Sequence, residues 1–94
     1  MPDSSPPELF DVPIKHLQVF VLSAELNSYA RVARQCDLDA SSPSKWIAKL
    51  EVKLGGRTLL EYDPRRGVVE LTEHGRALLP AATRLVSAAR DLFP

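Results

Sequence analysis

The chain has 94 residues, of which 45% are hydrophobic and 26% are charged, and its 12 Lys and Arg residues balance its 12 Asp and Glu residues. This size and composition indicate one small globular domain and exclude a multidomain enzyme. No run approaches the roughly 18 consecutive apolar residues of a membrane-spanning helix. The first residues also lack the basic and apolar regions of a secretory signal, so we expect a cytoplasmic protein.

The charges are unevenly distributed along the sequence. Asp3, Glu8 and Asp11 are the charged residues of the first fourteen, so residues 15–94 hold 12 positive against 9 negative charges, an excess of three. Such a weakly basic domain is compatible with DNA binding only when its cations converge on one face. The first residues are also rich in Pro and Ser, which predicts a flexible acidic arm over 1–12.

The residues that usually carry catalysis or bind metals form no pattern here. Cys36 has no partner for an internal disulfide, and with His16 and His74 it gives no metal-ligand spacing. We expect Cys36 to pack in the core and both histidines to lie at the surface or at the core boundary. The sequence contains no Gly-rich phosphate loop and no convincing catalytic triad. We therefore predict that the chain is not an enzyme and has no metal and no cofactor.

Apolar residues recur at helical spacing from residue 13 to residue 26 and predict a first helix, with Asp11 as its N-cap and Pro13 in its first turn. One apolar face of this helix is formed by Ile14, Leu17, Phe20, Val21 and Ala24. A second apolar face is formed by Val19, Leu22 and Leu26. Because a surface helix of a monomer normally has one apolar face, we expect a second copy of the chain to cover the other.

The next two segments predict a helix-turn-helix. Ser28 is a suitable N-cap for a second helix over 29–36. Its apolar stripe is formed by Tyr29, Val32, Ala33 and Cys36. A short turn leads to a third helix over 42–54, which ends at the C-cap signal Gly55-Gly56. Two helices joined by so short a turn are typical of this motif.

The rest of the sequence predicts a hairpin and a long helix. Two short runs of β-favouring residues within 59–71 are joined by a turn that Gly67 closes, and they would form a wing. Thr72 caps a last helix over 73–92, which Pro80 should bend. The coiled-coil seam of this helix consists of Leu78, Ala82, Leu85, Ala89 and Leu92.

These elements together predict the fold class and its division. The chain should be mainly α, a winged helix-turn-helix with a short β-hairpin wing and a long C-terminal dimerisation helix. The winged helix-turn-helix would occupy 13–72, and the linker or dimerisation helix would occupy 73–94.

Several short motifs, in this order and spacing, carry a resemblance to a known family. They are Phe20-Val21 with Ala24-Glu25, Ser28-Tyr29 with Arg31 and Ala33, Ser44-Lys45 with Ile47, Leu50-Glu51 with Leu54-Gly55, and Leu71-Thr72-Glu73 with Gly75. Together they resemble the DNA-binding domain of LysR-type transcriptional regulators. The resemblance implies binding of double-stranded DNA by the third helix. It does not extend to the effector-binding domain of that family, so we expect no small-molecule effector domain in this chain.

The sequence also departs from the family pattern. The third helix of the family usually opens with Ser-Gln-Pro, whereas this chain has Asp39-Ala40-Ser41 there and Pro43 two residues later. The helix is therefore expected to start at Ser42 or Pro43. Ala40 replaces the usual base-reading Gln, and Tyr62 replaces an Arg in the family's Phe-Glu-Arg. We expect a target preference that differs from that of a typical member.

The candidate DNA-binding residues are Arg31, Ser41, Ser42, Ser44, Lys45, Lys49, Arg65 and Arg66. Lys45, Lys49 and Lys53 stack along one face of the third helix because they are four residues apart. Such a stripe by itself is typical of any solvated helix, and the helix-turn-helix context is what favours DNA. Ser44 and Lys45 would reach base edges, whereas Lys49 and Arg31 would contact phosphates.

The wing tip and two aromatic residues are further candidates for contacts with DNA. Arg65 and Arg66 at the wing tip would enter the minor groove or clamp a phosphate, with an ordinary solvated hairpin tip as the alternative. Trp46 flanks the core face of the third helix and is expected to pack rather than to contact DNA. Tyr62 fits either role.

The predicted function is sequence-specific binding of double-stranded DNA by a dimeric transcriptional regulator. The proposed dimer interface consists of Val19, Leu22, Leu26, Leu78, Ala82, Leu85, Ala89 and Leu92. A homodimer would bind an inverted repeat and associate with the nucleoid. The alternative is a winged-helix module that binds a protein, or a DNA-binding accessory protein without regulatory specificity, which the neutral charge and the missing Gln favour. The chain would be either a free-standing domain or a shortened regulator.

Overall fold

The computed structural model describes residues 12–92 and contains four helices and one hairpin within that range. The elements in chain order are α1 (Ile14–Leu26), α2 (Tyr29–Cys36), α3 (Ser42–Lys53), β1 (Leu60–Asp63), β2 (Val68–Leu71) and α4 (Glu73–Arg90). The predicted fold class is confirmed, and every predicted helix is found within two residues of its expected bounds. The predicted arm and the predicted cap at Asp11 lie outside the described residues. Pro13 occupies the N-cap position of α1.

The helix starts follow from residues that the sequence singles out. The Ser28 side chain caps α2 by accepting a hydrogen bond from the Arg31 backbone N–H at 3.2 Å. Thr72 caps α4 in the same way, from the Gly75 backbone N–H at 3.0 Å. Pro43 lies in the first turn of α3. Backbone N–H groups in a first turn have no partner within the helix, so the N–H that proline lacks costs the helix no hydrogen bond. No described helix has the length and apolar character needed to cross a membrane.

Helix α1 lies at the centre of the fold and contacts α2, α3, α4 and β2. The prediction that one of its apolar faces is left for a second chain is wrong, because Val19 and Leu22 are only 2% and 7% exposed. Leu26 is partly buried against the same core. Ala82 of α4, predicted in the dimer seam, is 2% exposed and also packs inside the chain. Four elements of one chain therefore cover both faces of α1.

The hairpin is antiparallel and has the predicted turn. Leu60 lies opposite Leu71 and Asp63 lies opposite Val68. Gly67 closes the turn with a φ of 64° and donates its N–H to the Asp63 carbonyl at 2.8 Å. This left-handed backbone conformation is one that glycine adopts without strain. The wing therefore has a tight tip, formed by the residues between β1 and β2.

Asn27 joins the wing to the helices. It lies at the C-cap of α1 in the left-handed region, with a φ of 54°. Its side-chain Nδ2 donates to the Val69 carbonyl at 2.9 Å, and the Val69 backbone N–H donates to the Asn27 carbonyl at 2.9 Å. Both polar groups of one β2 residue are thus bound by one residue at the corner between α1 and α2. This pair of bonds fixes the wing against the helix-turn-helix.

Replacing Asn27 with glycine should destabilise the fold by about 1 kcal/mol, because it removes the side-chain hydrogen bond to Val69 while leaving the left-handed backbone accessible. Asp37→Gly is the matched control. Asp37 is also a left-handed C-cap, with a φ of 56°, and its side chain forms no hydrogen bond within residues 12–92. We expect chemical denaturation to show lower stability for Asn27→Gly and unchanged or higher stability for Asp37→Gly. Equal stabilities for the two variants would contradict this role of the amide.

Gly75 marks the contact between α4 and the chain that enters the wing. A Cβ atom at this position would overlap the backbone carbonyl oxygen of Leu59. The same carbonyl accepts a hydrogen bond from the Thr72 N–H at 3.0 Å, and the Thr72 hydroxyl donates to the Thr58 carbonyl at 2.6 Å. The first turn of α4 can approach β1 this closely because residue 75 has no side chain.

Candidate functional site

Helices α2 and α3 form the predicted helix-turn-helix. The turn is closed by the Leu38 N–H, which donates to the Ala33 carbonyl at 2.8 Å, and by the Ser42 N–H, which donates to the Asp39 carbonyl at 3.0 Å. Ile47 of α3 is only 2% exposed, so the face of the helix that carries it belongs to the core. The opposite face of α3 is therefore free to meet a partner.

The exposed surface of α3 carries three of the eight residues predicted to bind DNA. Ser44, Lys45 and Lys49 are all exposed. The Ser44 hydroxyl donates to the Ser41 carbonyl at 3.2 Å, so it is oriented across the first turn of α3. Ser41 is exposed at the N-cap position and Ser42 is half-buried. The exposed surface of α3 thus presents a hydroxyl and one ammonium group near its start and a second ammonium group one turn further on.

A lysine from α1 extends this positive surface, which single-helix spacing could not reveal. The Lys15 Nζ lies 5.0 Å from the centre of the Trp46 ring, a cation–π contact. The Trp46 ring also lies 5.3 Å from the His16 ring, and Trp46 is partly buried against the core. The prediction that Trp46 is a packing residue is confirmed.

His16 shows how close the basic residues are to one another. Burial lowers the pKa of His16, and the positive charges of Lys15, Lys49 and Lys53 lower it further. The expectation that His16 lies at the surface or boundary is wrong, because its exposed fraction is 6%. It is buried because α3 packs against α1 and brings Trp46 over this side chain. Lysines from two helices therefore share one region around a buried imidazole.

The predicted basic residues on α2 and at the wing tip occupy different surroundings. Arg31 is exposed on α2. Arg66 is also exposed, and its guanidinium lies 3.9 Å from the Asp63 carboxylate and 3.4 Å from that of Glu70. Arg65 is exposed and its side chain has no ion pair within the described part of the chain. At the wing tip, Arg66 is thus held by carboxylates, whereas Arg65 is available to contact a partner.

A cavity lies between the start of α2, the start of α3 and the wing. The rings of Tyr29 and Tyr62 stack beside it with centroids 5.9 Å apart and planes at 27°. Burial raises the pKa of Tyr29 to about 12, with a further contribution from the Glu51 carboxylate. The cavity has a volume of about 400 Å³, and we call it the tyrosine cavity. It is lined by Tyr29, Ala30, Ala40, Ser44, Tyr62 and Gly67. No pattern in the sequence indicates this cavity, because Tyr29 and Tyr62 belong to elements whose docking only the fold shows.

Glu51 links the far end of α3 to the wing. Its Oε2 accepts a hydrogen bond from the Leu59 N–H at 2.8 Å. This bond fixes the chain just before β1 relative to the helix that carries the lysines. Together with the hydrogen bonds of Asn27 to Val69, it holds the wing in place relative to α3.

The residues predicted for the dimer surface on the C-terminal helix differ in exposure. Leu85 and Leu92 are 53% and 75% exposed, and Leu78 and Ala89 are partly buried. Ile14 of α1, predicted on the core face of that helix, is instead 46% exposed. An apolar groove of about 330 Å³ runs between these helices. It is lined by Val12, Ile14, Leu17, Leu54, Leu78, Ala81, Ala82 and Leu85.

The described residues show no grouping suited to a metal. Within 12–92, no three or more His, Cys, Asp or Glu side chains come together as ligands. Cys36 is half-buried and packs against the core, as predicted. The surfaces of interest are therefore the α3 face, the wing, the tyrosine cavity and the apolar groove.

Comparison with known proteins finds relatives that are transcriptional regulators. The chain is 40% identical over 79 residues to the SDS degradation transcriptional activation protein of Pseudomonas sp. (strain ATCC 19151), which covers 84% of this chain and 25% of that protein. It is 39% identical over 75 residues to an uncharacterized HTH-type transcriptional regulator of Azotobacter vinelandii, with 80% of this chain and 50% of that protein covered. The chain thus spans between a quarter and a half of the length of these relatives.

A solved structure is similar in both fold and sequence. The CbnR_DBD–DNA complex matches with a TM-score of 0.75 and 28% identity, over 84% of this chain and 87% of that one. The family described as bacterial regulatory helix-turn-helix proteins, lysR family, matches residues 14–76. The family and both relatives are regulators and not enzymes, in agreement with the sequence-based prediction. The chain therefore belongs to the lysR family of bacterial regulatory helix-turn-helix proteins, and it comprises their winged helix-turn-helix with the long helix that follows it.

Proposed function

We propose that this chain binds specific sites on double-stranded DNA as a homodimer and thereby regulates transcription. The observation that carries the proposal is the exposed face of α3, which presents Ser44, Lys45 and Lys49 while its other face is held in the core. A helix fixed in this way can enter a major groove, which is wide enough for one helix. The relatives are transcriptional regulators, and a similar solved structure is a DNA complex, which supports the same function.

The exposed residues divide by the chemistry they can perform. Ser44 and Lys45 lie in the N-terminal half of α3, the part of a recognition helix that usually reaches base edges. Lys49, one turn further on, and Arg31 on α2 are suited to phosphates, which fix the register of the protein without reading sequence. Lys15 extends the phosphate-contacting surface from α1, since it lies beside Trp46 on α3.

The wing offers a second contact. Arg65 is exposed at the tip and unpaired among the described residues, so it is the arginine of the wing best suited to a phosphate or to the minor groove. Arg66 would have to exchange Asp63 and Glu70 for a phosphate before it could do the same.

The apolar groove supports the homodimer. Ile14 and Leu85 are large exposed apolar residues that both line this groove, and exposed apolar surface of this kind marks an interface. A two-fold pair of such domains would place two α3 helices about 34 Å apart, or a multiple of that, on an inverted repeat. One interface between two copies would therefore set the spacing of the DNA site.

Two observations favour a second function, docking of a partner protein. The net charge is zero, and Ala40 stands where a base-reading Gln is implied by the family resemblance. An electrophoretic mobility shift experiment with genomic DNA fragments separates the two functions. We expect retarded complexes at low salt that resist excess nonspecific competitor for a subset of fragments. A protein that binds no DNA at low salt would favour the protein-docking function.

Two lysine variants test the surface. Lys45→Ala should reduce affinity for the selected site by about 1–3 kcal/mol and relax preference at one base position, because a bidentate base contact would be lost. Lys49→Ala should weaken binding to all sequences alike and lower the slope of log affinity against log salt by about one, since one phosphate contact would be lost.

Arg84→Ala is the control for both variants, because it removes one exposed positive charge from α4, away from the α3 face. Its affinity and salt slope should match those of the unaltered protein. If both lysine variants also behave like this control in fluorescence anisotropy titrations, α3 is not the contact surface.

A further inference from the structure

The tyrosine cavity differs in chemistry from the basic surface beside it. Its lining combines two alanine methyl groups, two tyrosine rings and a glycine, and none of the lining residues is charged. The Ser44 hydroxyl in this lining is already directed to the Ser41 carbonyl. A lining with so much methyl and ring surface and without a charged side chain favours an apolar group over a phosphate, whose charge it could not balance.

The cavity is continuous with the proposed DNA-binding face. Ser44 belongs both to the cavity lining and to the exposed face of α3. Ala40 is exposed just before α3, and Tyr62 is 53% exposed on β1. A duplex that meets α3 would therefore also face the mouth of the cavity. The apolar group that a base pair presents in the major groove is the 5-methyl group of thymine, and alanine and aromatic side chains are suited to contact it.

We propose that Ala40 and Tyr62 form an apolar subsite for the 5-methyl group of one thymine in each half-site. This inference rests on the proposed function and adds a specificity determinant to it. Tyr62 is held in place by its stack on Tyr29, so the ring is fixed before DNA arrives. A longer polar side chain at position 40 would extend into the mouth of the cavity and displace the methyl group.

Deoxyuridine provides the direct test, since it pairs as thymidine does but lacks the methyl group. A binding site is first selected from a pool of random duplexes with the unaltered protein. Each thymidine of a half-site is then replaced in turn by deoxyuridine, and affinity is measured by fluorescence anisotropy. We expect one position at which loss of the methyl group weakens binding about four-fold, the effect of removing one buried methyl from an apolar contact.

The variant Ala40→Gln should abolish that difference, so that thymidine and deoxyuridine at the sensitive position bind equally. Ala77→Gln makes the same change at an exposed position of α4 that does not line the cavity, and it should retain the four-fold difference. This pattern would support the subsite.

Other results overturn it. If the unaltered protein selects a site but no thymidine is sensitive, the subsite is wrong while the proposed function stands. The subsite is also wrong if Ala40→Gln keeps the full methyl dependence. If no site can be selected and no duplex is bound at low salt, the proposed function fails and the subsite fails with it.

Discussion

Replacing Gly75 with alanine should destabilise the fold by about 3 kcal/mol, a large effect for the addition of one methyl group. In an exposed helix the same change would be favourable by about 1 kcal/mol, because alanine is the better helix former. Here the new Cβ would overlap the Leu59 carbonyl oxygen, a backbone atom that has no rotamer with which to move away. Either α4 or the chain entering β1 must shift, which also strains the hydrogen bond between Thr72 and that carbonyl.

Urea denaturation followed by circular dichroism measures this effect. Ser87→Ala serves as the control, because Ser87 is exposed on α4 and the change alters helix propensity alone. It should be neutral or slightly stabilising. A Gly75→Ala protein as stable as this control would show that α4 and β1 are not in close contact.

Leu85→Asp should convert a dimer into a monomer. It should also reduce DNA affinity by about 100-fold or more, because a monomer binds one half-site and loses the gain in affinity that comes from binding two half-sites at once. Leu85 is 53% exposed in the isolated chain, so its replacement removes little from the core. In the proposed dimer the same side chain would be buried, and an unpaired carboxylate there would be costly. Stability as a folded monomer should be preserved while association is lost.

Sedimentation at concentrations on the order of tens of micromolar checks the loss of the dimer, and anisotropy titration on a selected site checks the loss of DNA affinity. Thr83→Asp adds the same charge at an exposed position of α4 that does not line the groove, and this variant should remain dimeric. An unaltered protein that sediments as a monomer in this range would refute the dimer interface.

Local sequence signals were sufficient for the elements of the fold. Ser28 and Thr72 are caps because a hydroxyl before an apolar periodic run satisfies the first free N–H groups of a helix. Gly67 marks the hairpin turn because the turn needs a left-handed residue. Each of these signals acts within a few residues, which is why bounds could be predicted without knowledge of the tertiary structure.

Predictions of which residues are buried by other elements of the fold were less accurate. Val19 and Leu22 were correctly identified as apolar, but spacing along one helix does not tell whether the same chain or a second one covers them. His16 was misplaced for the same reason, since Trp46 on another helix buries it. The hydrogen bonds of Asn27 to β2 have no signal in a single sequence, because the two partners are 42 residues apart.

The two carboxylates that hold Arg66 also affect how the protein would approach DNA. From Leu60 to Leu71 the wing has two arginines and three acidic residues, a net charge of −1, whereas α3 has three lysines and one glutamate, a net charge of +2. At separations near the Debye length of about 10 Å, a phosphate backbone responds to such sums rather than to single side chains. The first encounter should therefore be oriented by α3, with the wing weakly repelled. The wing would engage only afterwards, first through Arg65, and through Arg66 once a phosphate is near enough to replace Asp63 and Glu70 at its guanidinium.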